Sequence, residues 1–295
     1  MTRSRIAVVG ATGFIGRAVV DAAATQGLTT VAFTRGTPAV GGDGSLAPGI
    51  REVETVVWTA ASINPALAET RPDLVAADDA ALSGLLQALD DAGSTARVVF
   101  LSSGGTVYDV TEPAPFAEDS PCAPSGAYGR SKLAAERRVL ARDGSVVIRI
   151  ANAYGPGQPV APGQGVVAHW LAAVGRGEPL RVFGSLDTAR DYVYIDDIAR
   201  AVATVASTAA PPRVINVGSG RGTTLGELLD AVRQVAGDVE VVHEESRSFD
   251  VSRTWLDVSL AATTVGWAPR VALVDGIGTT WRAARDASAH SSSQA

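Results

Sequence analysis

Short apolar runs alternate with amphipathic stretches along the first half of the chain. Arg5-Ile6-Ala7-Val8-Val9 suits a strand buried on both faces, and Gly10-Ala-Thr-Gly13-Phe-Ile-Gly16 follows it directly, ahead of an amphipathic stretch reaching Gln26. Gly27 ends that predicted helix, and a second buried strand is expected from Leu28 to Phe33, which completes a βαβ unit by Thr34. Strand-like runs at 55–60, 97–102 and 146–150 are then separated by helix-like runs at 71–91 and 127–142. The alternation predicts an α/β fold with a doubly wound parallel sheet. After Ile150 the pattern changes: residues 151–165 are rich in Gly and Pro, and shorter strands and helices mix beyond them. The expected organisation is a dinucleotide-binding domain of Rossmann type over residues 1–151, to which some later segments return. A smaller mixed α/β lobe over 152–287 lies on the carboxyl ends of its strands. Residues 288–295, without apolar periodicity, are expected to fray.

Composition adds mostly exclusions. With 295 residues, 46% of them hydrophobic, and a mean hydropathy of +0.16, the chain can bury a large Ala/Val/Leu core and is not intrinsically disordered. A net charge of −6 without any Lys/Arg run gives no electrostatic footprint for nucleic acid or an anionic membrane. Cys122 is the single cysteine, and His169, His243 and His290 are scattered, so neither a disulfide nor a metal site is expected. No apolar run approaches the roughly 18 residues of a membrane span, and no leader-like segment precedes the first strand; the sequence predicts a cytoplasmic protein.

The glycine turn carries the first candidate chemistry. Gly10 permits a tight turn, Gly13 lets backbone N–H groups approach a pyrophosphate, and Gly16 lets the helix pack closely; the helix N-terminus favours the anion. Thr12, Phe14 and Ile15 belong to the same predicted cofactor-binding set, as does Ala60 at the end of the third strand. A merely structural turn is the alternative. The second strand ends Ala32-Phe33-Thr34-Arg35-Gly36, with no acid to take a ribose 2′-OH. Arg35 therefore points to a 2′-phosphate and NADP(H), with NAD(H) as the alternative should Arg35 be an ordinary surface residue.

Tyr128-Gly-Arg-Ser-Lys132 places a phenol and an ammonium at i and i+4 on one helix face. A phenol, with a pKa of about 10, works as acid or base near neutrality only if a nearby cation stabilises its phenolate, the role expected of Lys132. A strand ending in Ser102-Ser103 lies upstream, so a hydroxyl can join the pair at the carboxyl edge of the sheet.

Five motifs together resemble the extended short-chain dehydrogenase/reductases of the NAD-dependent epimerase/dehydratase family. They are the glycine turn, Leu101-Ser-Ser-Gly-Gly-Thr-Val-Tyr108, Tyr128-Gly-Arg-Ser-Lys132, Asn152-Ala-Tyr-Gly-Pro-Gly157 and Arg190-Asp-Tyr-Val-Tyr-Ile-Asp-Asp197, and in order they cover most of residues 5–281. The resemblance implies a nucleotide-diphosphate sugar as substrate, exchanging hydride with a bound nicotinamide at a ring carbon, usually C4. It also implies that Tyr128 and Lys132 are the catalytic pair, that Asn152, Arg190, Arg247 and Asp250 bind the sugar nucleotide, and that the protein is a homodimer.

Departures from the family pattern narrow the reading. The place of the family's catalytic hydroxyl is Gly104, so Ser103, or alternatively Thr106, must substitute. Gly105-Thr106 stands where a 4,6-dehydratase has Asp-Glu, which disfavours dehydration. Only 20 residues, Arg35 to Glu54, separate the second and third strands, too few for a full helix–strand–helix segment; the adenine pocket is expected to be abbreviated, and Asp43 is not a safe substitute for the usual acid. The favoured activity is an NADPH-dependent 4-ketoreductase acting on a nucleotide-linked 4-keto-6-deoxyhexose. An NAD-dependent 4-epimerase is the second reading, and a non-catalytic dinucleotide sensor a minor third.

Overall fold

The computed structural model describes residues 5–163, 165–245 and 253–292. Its centre is a six-stranded sheet. β1 (Arg5–Val9) is followed by α1 (Phe14–Thr25), β2 (Thr29–Phe33), β3 (Thr55–Trp58), α2 (Pro65–Thr70), α3 (Pro72–Asp91), β4 (Arg97–Ser103), α4 (Ala127–Ala141) and β5 (Val146–Ile150). The spatial order is β10-β5-β4-β3-β1-β2, where β10 (Val214–Val217) arrives from much later in the chain, and every pairing is parallel.

Alternation along the strands explains why helices cover both faces. Ile6, Val8, Val57 and Val99 point into one core with α1 and with α6 (Ile195–Ser207). Ala7, Val9, Val56 and Val98 point into the other, which α3 and α4 close with Leu82, Leu85, Leu89, Ala135 and Val139. A strand with helices on both faces reads as a continuous apolar run, the pattern of β1, β3 and β4.

β2 departs from the expectation of a buried strand. It is the edge of the sheet, with Thr29 and Ala32 exposed, because β1 is its sole strand neighbour. The connection from β2 to β3 adds no further strand to this sheet. It is a loop closed by a bridge between Val40 and Leu46, with a single 3₁₀ turn at Ile50–Glu52.

The second lobe is built from β6 (Asn152–Tyr154), α5 (Val166–Gly175), β7 (Leu180–Phe183), β8 (Ala189–Arg190), β9 (Tyr192–Tyr194), β11 (Thr223–Thr224), α7 (Leu225–Ala236), β12 (Val241–Glu244) and β13 (Arg253–Thr254). α6 and β10 lie with the large sheet, α6 against α1. The chain ends in α8 (Ser259–Val265) and α9 (Leu273–Ser292), the latter packed on α5 and α7. α9 continues past Ser288, where the sequence suggested fraying: alanines at 283, 284, 287 and 289 supply helix propensity that the polar composition obscured. Among the described residues no helix is long and apolar enough to cross a membrane, and no cluster of three His, Cys, Asp or Glu side chains could hold a metal.

Candidate active site at the carboxyl edge of the sheet

The turn after β1 is shaped by backbone contacts. Gly10 has φ of +90°, and both its N–H and that of Ala11 donate to the Phe33 carbonyl at 3.0 and 3.1 Å. A Cβ on Gly16 would lie 2.1 Å from the Gly10 carbonyl oxygen, so the close packing that Gly16 allows is against the turn itself. A Cβ on Gly10 would meet the backbone of Ala60 at 2.7 Å, which places Ala60 beside the turn. Gly13 caps α1 without a side-chain hydrogen bond, and no acidic residue occupies the first helical turn. The amino end of α1, with the N–H groups of Phe14 and Ile15 in its first turn, therefore suits a pyrophosphate, and Thr12 lies in the exposed turn ahead of it.

Around β2 the chain makes a second small turn. Thr34 Oγ1 accepts from the N–H groups of Gly36 and Thr37, which leaves Arg35 exposed at the turn's tip. Asp43 is spent on its own loop, accepting from the N–H and hydroxyl of Ser45 at 3.0 and 2.7 Å. Arg17, next to the glycine turn, reaches the carbonyl of Gly157 at 3.3 Å and so ties α1 to the Gly/Pro loop of the second lobe.

Tyr128 and Lys132 occupy the first two turns of α4. Gly129 between them lets that helix approach the chain closely: a Cβ there would lie 2.2 Å from the carbonyl oxygen of Thr106. Lys132 is buried, its Nζ donating to the Leu101 carbonyl at 3.3 Å and lying over the Phe100 and Tyr128 rings at 5.0 and 5.6 Å from their centroids. Burial pushes the Lys132 ammonium down to about 8, against the opposing pull of the Asp78 and Glu136 carboxylates. The Tyr128 phenol is pushed up to about 12 by burial, with Asp78 adding to the rise. Burial here outweighs the lowering expected of Lys132, whose Nζ lies over the ring and donates to a strand carbonyl.

Ser103 ends β4, half-buried, its carbonyl taking the N–H groups of Thr106 and Val107. Thr106 Oγ1 is buried without a hydrogen-bond partner. Gly104 cannot be replaced by the family's hydroxyl residue without a shift, because a Cβ would come 2.6 Å from Leu256 Cδ1.

In the second lobe, Asn152 begins β6, and both its N–H and its Nδ2 donate to the Asp191 carbonyl at 2.9 Å. Asp191 itself is 1% exposed and takes the N–H and hydroxyl of Ser219 and the N–H of Leu256. Arg190 lies on β8 between β11 and β13. Arg247 and Asp250 fall outside the described residues.

Several residues at this site escaped the sequence reading. Glu69 of α2 accepts from the Ala127 N–H at 2.6 Å, anchoring the amino end of α4. Glu136, one turn beyond Lys132, receives the Ser102 hydroxyl and a double contact from Arg149 of β5, with Nη2 at 2.8 Å; Glu136 and Arg149 are 1% and 6% exposed. Asp78 of α3 accepts from the Ser62 N–H with both oxygens, at 2.8 and 3.0 Å. Composition held one usable signal: Lys132 is the only lysine among the chain's 25 lysines and arginines.

A model of the family described as NAD dependent epimerase/dehydratase matches residues 6–218, and the chain belongs to that family. It is similar to the dTDP-4-dehydro-6-deoxyglucose reductase of Escherichia coli, 33% identical over 192 residues, which span 61% of this chain but only 59% of that protein. It is also similar to the dTDP-6-deoxy-L-talose 4-dehydrogenase (NAD(P)(+)) of Kitasatospora kifunensis, 29% identical over 95% of each chain. Among solved structures, a UDP-glucose 4-epimerase of Thermus thermophilus in complex with NAD superposes with a TM-score of 0.83 at 29% identity, over 96% of this chain and 99% of that one. The chain thus shares the Rossmann-type sheet and a C-terminal lobe with that structure, and the relatives it resembles include nucleotide-sugar epimerases and reductases.

Proposed function

We propose that this protein is an NADPH-dependent 4-ketoreductase of a nucleotide-diphosphate 4-keto-6-deoxyhexose. The carrying observation is the end of β2, where Arg35 stands exposed at a turn beside the glycine turn and the nearest loop acid, Asp43, is turned onto Ser45. An arginine there suits a 2′-phosphate. Likeness to the talose 4-dehydrogenase, whose name covers both NAD and NADP, supports redox chemistry at C4 of a deoxysugar nucleotide.

NADPH would supply the hydride when bound. The chain's residues do the rest: the amino end of α1 holds the pyrophosphate, and Ser103 donates a hydrogen bond to the substrate's ketone oxygen. Tyr128, protonated at neutral pH, transfers its phenolic proton to that oxygen. Lys132 offsets the negative charge left on Tyr128. Asn152 and Arg190, with Arg247 and Asp250, hold the nucleotide diphosphate, and a homodimer in the cytoplasm is part of this reading.

The second reading, an NAD-dependent 4-epimerase, is favoured by the likeness to the Thermus enzyme over nearly the whole of both chains. One assay separates the two. Purified protein should release no tightly held NAD⁺ and should oxidise NADPH only when a dTDP-linked 4-keto-6-deoxyhexose is added, binding NADPH at least about tenfold tighter than NADH. Retained NAD⁺ with interconversion of UDP-glucose and UDP-galactose would replace the reductase by the epimerase. Tyr128→Phe should lower kcat by about 10²-fold or more; unchanged turnover would sink both.

A further inference from the structure

The site contains a third ionisable group. Asp78 lies on α3, Lys132 on α4, and the two line one cavity of about 30 Å³ with Ser131, Trp58, Ala60 and Ile63, a volume sufficient for a water molecule. The Asp78 carboxylate is held in place: both oxygens take the Ser62 N–H, in the segment joining β3 to α2 that also carries Ala60. α3 and α2 both pack on α4, so the carboxylate bridges the cofactor-side loop and the helix bearing Tyr128 and Lys132.

We propose that Asp78, which lines this cavity with Lys132 without ion-pairing to it, is a positioning residue for the Tyr128–Lys132 pair, biasing Tyr128 to donate a proton rather than to accept one. The inference rests on the reading of Tyr128 and Lys132 as the proton-transfer pair.

The other charged groups around Lys132 are already engaged. Asp79, which lines the same cavity, is ion-paired with Arg138. Glu136 is paired with Arg149 across to β5, and Glu69 of α2 takes the Ala127 N–H. β3 contributes no charged residue. Asp78 has no Lys or Arg within ion-pair distance among the described residues, and its charge acts on both members of the pair, favouring the ammonium of Lys132 and disfavouring the phenolate of Tyr128. Each influence holds a proton in place, one on the Lys132 nitrogen and the other on the Tyr128 oxygen. A ketone reductase needs a protonated phenol at the start of its cycle, whereas an enzyme that begins by oxidising an alcohol needs the phenolate.

The single lysine permits a direct test. Protein produced with lysine carbon-13-labelled at Cε gives one side-chain resonance, that of Lys132, whose titration is followed in the cofactor-free chain. In Asp78→Asn the midpoint should fall by about one pH unit relative to the native protein. Asp78→Ser, which keeps a hydroxyl to accept from Ser62, should show the same fall, so a folding defect of one variant does not decide the matter. Asp79→Asn should shift the midpoint much less. An unchanged midpoint in both Asp78 variants, or an equal fall in Asp79→Asn, would overturn the proposal. In turnover, the alkaline limb of kcat/KM for ketone reduction should move to lower pH by about one unit in Asp78→Asn, which a merely structural residue would not cause. Absence of ketone reduction in the native protein would count against the reductase reading while leaving the lysine titration to judge Asp78.

Discussion

The amino ends of α1 and α4 both open onto the carboxyl edge of the sheet, but they are shaped by different forces. At α1 no acid enters the first turn, the cap is Gly13, and the contacts that matter are backbone to backbone, with Gly10 and Gly16 too close for a side chain. At α4 the helix brings buried charge to the same edge: Lys132, then Glu136 one turn on, matched by Asp78, Arg149 and the Ser102 hydroxyl from neighbouring elements. Substitutions at α1 should therefore act through shape and be insensitive to pH, whereas those at α4 should act through ionisation and unpaired charge.

The largest effect is expected at the charged end. Replacing Glu136 by Leu removes the partner of Arg149 while leaving the guanidinium buried, and the Ser102 hydroxyl loses its acceptor as well. Breaking a buried pair from one side costs about 3–5 kcal/mol. Chemical denaturation should show that loss, and the milder Glu136→Gln should recover part of it, since an amide still accepts from Ser102. Equal stability of Glu136→Leu and native protein would mean that α4 is held by packing alone and that the contrast with α1 is false.

Gly16→Ala comes next. The added methyl would sit 2.1 Å from the Gly10 carbonyl oxygen and 2.8 Å from Thr59 Oγ1, so either α1 or the turn must move. Overpacking of this kind typically costs about 1–3 kcal/mol. Because the displaced atoms are those that would face the pyrophosphate, cofactor affinity should fall more than stability does, and equally at pH 7 and pH 9. A pH-dependent loss would count against a purely steric account.

The same division explains what could be read from the chain alone. Strand alternation, the glycine turn and the Tyr128/Lys132 spacing are local patterns, and each of them survives in the structure: β1, β3, β4 and β5 lie where the apolar runs placed them, to within two residues, and α4 begins at Ala127. Contacts from distant elements left no local trace. Asp78 looks like one of two consecutive acids on a solvated helix, Glu136 like a surface residue before Arg137 and Arg138, and Arg149 interrupts an otherwise apolar strand without naming its partner. Edge position was equally invisible: Thr29–Phe33 reads as a buried strand until the short connection to β3 is seen to add no neighbour. The lone lysine was the exception, a compositional trace of a residue whose compact ammonium and adjustable pKa an arginine cannot replace.

The smallest effect concerns that lysine and the pH dependence of stability. Burial lowers the Lys132 ammonium to about 8 in the folded chain, from its ordinary value of 10.5. Between those values the unfolded chain binds more protons than the folded one, so stability rises with pH through this window, and below about pH 8 the full cost of the buried charge is present. The rise should amount to about 1 kcal/mol between pH 8 and pH 9. Tyr128 does not confuse the interval, because its contribution falls away only above its ordinary value of 10.0, toward about 12. Lys132→Met removes the titrating group while keeping an apolar stem, so denaturation of the two proteins at pH 8 and pH 9 isolates the effect: the native protein should gain stability relative to the variant. Parallel pH dependences would show that the ammonium is not penalised where it lies, and the contrast between a shaped α1 and a charged α4 would then rest on Glu136 and Arg149 alone.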